Sequence, residues 1–200
     1  MRQTVPYRWL ALLALALFYG VYYGKLWMQK RQGIQTNQIG RRKEKNLHRV
    51  ETLMGVAVVS VVLAQLLSIA LEWSLLPGAV RLVGFCVALA GDAVFMAAVL
   101  CMKDSWRAGI PEKDQTKLVT GGIYAFSRNP AFLGFDLMYA GVLLMYGNPL
   151  TLTCSLFAMV MLHLQILQEE AHMEATFGEA YRAYRKHTLR YLGRRKEESK

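Results

Sequence analysis

Long apolar runs separated by shorter polar or basic stretches set the pattern of this chain, with no alternation of the strand kind. A helix needs about 20 predominantly apolar residues to cross roughly 30 Å of hydrocarbon. Thr52–Leu71 is 20 residues without a charge, Leu82–Met102 is 21 with Asp92 alone, and Leu150–Gln168 is 19 with none. Trp9–Trp27 is interrupted only by Lys25, and its Trp and Tyr residues suit a membrane interface. Arg2 and Arg8 precede it as in a signal peptide, but no small-residue cleavage site follows, so a retained helix is expected. Ala131–Gly147 is shorter, 17 residues with Asp136 inside, and completes a set of about five spans. The expected fold is therefore all-α, one polytopic membrane domain over residues 1–200, with a cytoplasmic helical segment after the last span.

Charge supplies the orientation. The chain holds 24 Lys and Arg against 14 Asp and Glu, a formal net charge of +10. Read between the five spans, the basic residues fall as 2, 8, 1, 5 and 8. The rich segments alternate, as the positive-inside rule requires, placing the N-terminus outside and the C-terminus in the cytoplasm. Ser74–Val80 and Gly147–Pro149 are the short outer reversals, each with a Pro and a Gly. No nucleic-acid motif accompanies the basic residues, so membrane lipid is the expected partner of the charge. Cys86, Cys101 and Cys154 lie in apolar spans without a CxxC pair and read as small buried apolar residues. Gln29–Asn46 reads as a loop or an interfacial segment.

Two inner segments are denser in polar and turn-forming residues than loop duty requires. In 105–134, Gly121–Gly122 would let backbone approach a ligand, and Pro130 suits the first turn of a helix. Free N–H groups at that helix start, with Arg128 beside them, make a candidate anion-binding mouth. In 163–187, Gln165, Glu169 and His172 share one helical face, and His163, Glu170 and Glu174 share another. Phe177–Gly178 would end or bend that helix, and Tyr181, Tyr184 and Arg185 would begin an amphipathic tail. No HExxH or comparable spacing points to a metal, so no metal site is assigned. By spacing alone these segments suggest a cytoplasmic pocket without naming a reaction.

The ordered set LVTGGIYAFSRNPAFLG (118–134), two spans joined by Gly-Asn-Pro, QEE (168–170) and FGEAYRAYRKH (177–187) resembles the isoprenylcysteine carboxyl methyltransferase family, itself related to membrane phospholipid methyltransferases. The resemblance covers about Trp106–Tyr191. It implies an S-adenosylmethionine-dependent methyltransferase, with S-adenosylhomocysteine as product and a lipophilic or small acceptor, possibly a carboxylate, methylated at the cytoplasmic membrane face. Carried over by position, Thr116, Lys117, Leu118, Val119, Tyr124, Asn129, Pro130, Ala131, Phe132 and Glu169 would line the cofactor pocket, as parts of cytoplasmic segments 105–134 and 165–191. Arg128 and Glu170 would flank it as the catalytic pair.

Two departures stand out. The family pattern R-H-P-x-Y is here Arg128-Asn129-Pro130-Ala131-Phe132, and the family's Arg four residues before the carboxylate matched by Glu169 is here Gln165. Gln165 and the intramembrane Asp136 are therefore the candidate acceptor-contacting residues, and an amine, thiol or lipid acceptor fits as well as a carboxylate. An ionised carboxylate, with a reference pKa near ~4, would need no general base. The competing readings are an intramembrane metalloprotease, from the Glu pair on a membrane helix, and a non-enzymatic scaffold or transporter. The pattern of broken helical repeats that transporters often show is not evident.

Overall fold

The computed structural model describes residues 6–36, 45–109 and 117–195. They form five helices and no strand: α1 (Tyr7–Arg31), α2 (Lys45–Ala70), α3 (Gly78–Met102), α4 (Pro130–Met145) and α5 (Pro149–His187), with 3-10 turns at Lys103–Ser105 and Gly122–Ala125. The four helices other than α4 are long and apolar enough to cross a membrane. Their outward faces carry exposed Leu63, Leu66, Leu67, Val83, Leu100, Leu156 and Val160. Apolar surface of that extent marks contact with lipid, and the chain is an integral membrane protein.

The boundaries correct the sequence reading in three places. Gln29 to Arg31 belong to α1 and Lys45 already starts α2, so the expected 29–46 loop shortens at both ends, and residues 37–44 lie outside the described part. Leu71 falls just outside α2. The weakest span shrinks to the 16 residues of α4, because Tyr146 leaves the helix at φ −129° and ψ 51°. At 1.5 Å per residue α4 is about 24 Å long, short of a bilayer's hydrocarbon. Cys86 is exposed on the lipid-facing surface rather than buried. Lipid accepts an apolar thiol as readily as a protein core does.

One residue ties together the end of the bundle that carries the short connections. Asn148 caps α5 by accepting from Leu150 N at 3.0 Å and Thr151 N at 3.1 Å, while Thr151 Oγ1 accepts from its backbone N–H. Its Nδ2 also donates to Ser68 Oγ and to the Trp73 carbonyl, each at 2.9 Å, which fastens the end of α2 and the α2–α3 turn. Tyr7 OH donates to Gly78 O there at 2.9 Å, bringing the start of α1 to the same end.

α3 and α4 pack backbone to backbone. A methyl at Gly91 would lie 2.6 Å from Met138 N, one at Gly84 would lie 2.6 Å from Gly141 O, and one at Gly141 would overlap Ala88. Small residues let membrane helices approach in this way. Beside this contact, Phe18 of α1 stacks on Phe95 of α3 and Phe135 of α4 meets both edge-on, with centroids 4.6 to 5.2 Å apart, and Tyr22 and Trp106 continue the cluster. The cluster floors the cavity at the opposite end of the bundle.

Candidate functional site

α5 runs on for almost 20 residues after Gln168 and kinks at Gly178, where φ is 52° and ψ is −123°. Glycine alone adopts that conformation at little cost. The kink turns the last stretch back over the mouth of the bundle. Tyr181 is thereby buried at 2% exposure, and Tyr184 OH donates to the Tyr124 carbonyl at 2.6 Å. The expected amphipathic tail sets its aromatic side, Tyr181 and Tyr184, inward as a wall of the site and leaves Arg182 and Arg185 exposed.

After α5 the chain doubles back and latches onto the segment before α4. Arg128 N donates to Leu189 O at 3.0 Å, Gly193 N to Phe126 O at 2.7 Å, and Arg194 Nε to Ala125 O at 3.0 Å. This latch delivers Arg190 to Glu170, a partner that the sequence reading did not name. Glu170 Oε1 accepts from Arg128 Nε at 3.1 Å, Arg128 Nη2 at 2.9 Å and Asn129 Nδ2 at 2.9 Å. Its Oε2 accepts from Arg190 Nε at 3.1 Å and Nη2 at 2.9 Å. Burial pushes the Glu170 carboxyl upward, but the Arg190 bonds, the Arg128 charge and the Asn129 bond together outweigh it and hold the group below its usual value.

A carboxylate offers about four lone-pair sites, so Glu170 is saturated. Arg128 Nη1 also donates to Thr188 O at 2.6 Å. The expected anion-binding mouth is therefore filled by the chain's own carboxylate, and Arg128 and Glu170 form a frame. Gly122 serves packing, since a methyl there would meet Cys101 Sγ at 2.8 Å, whereas Gly121 has open space around it; neither glycine lines the cavity.

Above the aromatic floor and beside this frame lies a cavity of about 350 Å³. Of the residues carried over from sequence, Lys117, Leu118, Val119, Tyr124, Arg128, Asn129, Ala131, Phe132, Gln165, Glu169 and Glu170 line it. Pro130 is buried at the start of α4 and Asp136 lies further along it; neither belongs to the lining. Thr116 lies outside the described residues. Of the two helical faces, the one with Gln165, Glu169 and His172 lines the cavity, joined by Glu170. His163 instead pairs Nδ1 with Tyr191 OH at 2.6 Å, and Glu174 binds Arg185 at 2.8 Å. Burial, reinforced by Tyr184, Cys101 and Glu169, raises the Tyr124 phenol and keeps it protonated. Burial likewise lifts Tyr181 to about 12.

Other parts of the wall were not named as site residues from sequence, among them Tyr19, Tyr22 and Tyr23 of α1, Met54 and Val58 of α2, Phe95 of α3, and Trp106. The available signal was the run of aromatic residues in 18–27, which also suits a membrane interface. Gln29 explains how α1 is fastened to the wall. It is fully buried, donates to Trp106 O at 3.3 Å, and accepts from Thr36 Oγ1 at 2.7 Å.

Comparison with known proteins places this geometry. The profile of the phospholipid methyltransferase family matches residues 81–180, half of the chain. A protein-S-isoprenylcysteine O-methyltransferase of Schizosaccharomyces pombe is 40% identical over 70 residues, covering 34% of this chain and 30% of the relative. Probable protein-S-isoprenylcysteine O-methyltransferases of Oryza sativa subspecies indica and japonica are 31% identical over 108 residues, covering 52% of this chain and 56% of theirs. The chain thus spans about half, or less, of the length of these curated relatives. The matched region runs from α3 to the kinked end of α5 and includes the cavity's polar wall from Lys117 to Glu170. The chain belongs to the phospholipid methyltransferase family.

Proposed function

We propose that this protein is a membrane methyltransferase that takes its methyl group from S-adenosylmethionine and passes it to an apolar or amphipathic acceptor reaching the cavity from the bilayer. One observation carries the reading: a single cavity joins the polar residues of the family-matched region to an apolar wall supplied by α1 and α2. The names of the relatives, S-isoprenylcysteine O-methyltransferases, support the same chemistry on a lipophilic substrate.

The residues present suit such a donor. The cavity's volume of about 350 Å³ falls within the usual range for small-molecule sites, roughly 300–1,000 Å³. Lys117 to Val119, Tyr124, Asn129, Ala131, Phe132 and Glu169 would hold the cofactor. Glu169 supplies a carboxylate for hydroxyl or amino groups, and the faces of Tyr124 and Phe132 suit a neighbouring cation. The cofactor would contribute an electrophilic methyl on a sulfonium. The protein's own part is alignment and exclusion of water: Arg128, Asn129, Glu170 and Arg190 lock the start of α4 against α5, and the kinked end of α5 covers the mouth.

Calorimetry on the detergent-purified protein tests this. Saturable binding of S-adenosylhomocysteine is expected, weakened about tenfold or more by Glu169→Gln or Tyr124→Ala, the loss of one good contact. Absence of binding at millimolar ligand would sink the proposal.

A further inference from the structure

The latch that follows α5 turns over between Leu189 and Gly193, where Leu189 N donates to Gly193 O at 2.9 Å. Its tip lies low against the bundle. Tyr191 OH is 2.6 Å from His163 Nδ1, and the two rings stack with centroids 6.0 Å apart. His163 belongs to the uncharged run Leu150–Gln168 and stands five residues before its end, about 7.5 Å along the helix at 1.5 Å per residue. The turn therefore reaches below the level at which α5 leaves the hydrocarbon. It exposes Leu192 at 69% and, on the segment to which Gly193 N is bonded, Phe126 at 53%. The Arg194 guanidinium lies over the Phe126 ring, 5.0 Å from its centroid, and Arg195 follows, both residues exposed. Arg182, Arg185 and Arg190 each hold a carboxylate of the chain. Among the described residues, no carboxylate forms an ion pair with Arg194 or Arg195.

We infer that this turn is a docking surface for anionic phospholipid, and that the bound lipid holds the latch closed and so strengthens cofactor binding. Leu192 and Phe126 enter the edge of the acyl layer, and Arg194 and Arg195 take the phosphates. The surface stands on the latch geometry; its effect on the cofactor rests on the proposed methyl-donor site. Arginine suits this place because its apolar stem stays beside the acyl chains while the charged end reaches the headgroups. A soluble acidic partner would have to follow Tyr191 below the headgroup level, where lipid already is. The coupling runs through the latch itself. Its backbone holds Arg128 N through Leu189 O, and its Arg190 holds Glu170. The closed latch thereby fixes the start of α4, with Asn129, Ala131 and Phe132 of the cavity wall, against α5. A lipid that binds the closed latch better than an open one shifts the chain towards the closed state by that difference in affinity.

The test places the full-length protein in nanodiscs of phosphatidylcholine alone or of phosphatidylcholine with phosphatidylglycerol. Two quantities are read: S-adenosylhomocysteine affinity by calorimetry, and amide hydrogen exchange over residues 189–195. The ligand is a zwitterion without net charge near neutral pH, so the surface potential of the anionic bilayer does not concentrate it. Phosphatidylglycerol is expected to tighten binding about fivefold or more, the effect of one fully coupled basic residue near an anionic surface, and to slow exchange in the turn. Arg195→Gln and Leu192→Asn should each bring the gain close to one while affinity in phosphatidylcholine stays within about twofold. That affinity doubles as the control for folding, and the wild-type comparison decides the matter if a variant fails to fold. Equal affinity and equal exchange in the two bilayers, or an undiminished gain in Arg195→Gln, would overturn the inference. So would the same gain from inorganic phosphate added to phosphatidylcholine nanodiscs, which would show a free anion site in place of a lipid surface. Slowed exchange in phosphatidylglycerol without S-adenosylhomocysteine binding in either bilayer would uphold the lipid surface and overturn the methyl-donor reading.

Discussion

Glu170 accepts hydrogen bonds from Arg128, Asn129 and Arg190, which lie 42, 41 and 20 residues away. Its side chain is only 8% exposed and that of Arg128 only 7%. Removing one partner of a buried pair leaves the other charge without compensation, so Glu170→Gln should cost about 3 kcal/mol of stability. The pH dependence follows from the depressed carboxyl. The unfolded chain takes up its proton near 4.5, before the folded protein does, so the stabilisation is complete above that pH and is lost as pH falls through the lower folded value. Thermal unfolding in detergent should therefore show an acid limb that Glu170→Gln flattens; an identical limb in the variant would refute the assignment. At this scale the sequence was informative about residue type and silent about pairing. Arg128, Glu169 and Glu170 stood out as polar residues at span ends, whereas Arg190 lay in a basic tail with nothing to separate it from seven other cations.

At the scale of elements, the α3–α4 contact decides where the start of α4, and with it Asn129 to Phe132, sits. The Gly141→Ala methyl would overlap Ala88 backbone, which cannot yield as a flexible side-chain tip could. Overpacking of this kind costs ~1–3 kcal/mol. The variant should unfold at lower temperature and bind S-adenosylhomocysteine more weakly, whereas Gly20→Ala, with nothing within 4 Å of the added methyl, should do neither. Equal behaviour of the two variants would argue against α4 as the positioning element. Element existence was readable because a bilayer fixes the length of an apolar run, and four of the expected spans lie in helices long enough to cross. Their ends were less so. Gln29 looks like loop sequence, yet it extends α1 because its amide is taken up by Thr36 and Trp106.

Across the whole molecule, the two short connections meet at one end, where Leu75 N donates to Gly147 O at 2.9 Å, and the cavity lies at the other. The charge pattern leads us to propose that the cavity end faces the cytoplasm, with α4 as a fifth, short span. Leu75→Cys and Thr120→Cys, each in a background without the native cysteines, test the orientation with a membrane-impermeant maleimide on intact cells. Cys at 75 should label directly and Cys at 120 only after lysis; the reverse order would invert the assignment.

Sequence by itself determined that this is a helical membrane protein, roughly where its helices lie, and that polar residues gather around 117–132 and 165–170. These follow from run length and local composition, which the chain carries residue by residue. Tertiary structure decided which faces of α1 and α2 close the cavity, and that Arg190 completes the frame. The physical reason is that lipid is as apolar as a helix interface, so hydrophobicity marks a span without saying which of its sides faces inward. That choice was made by backbone-close glycines on α3 and α4, and by hydrogen bonds between residues tens of positions apart.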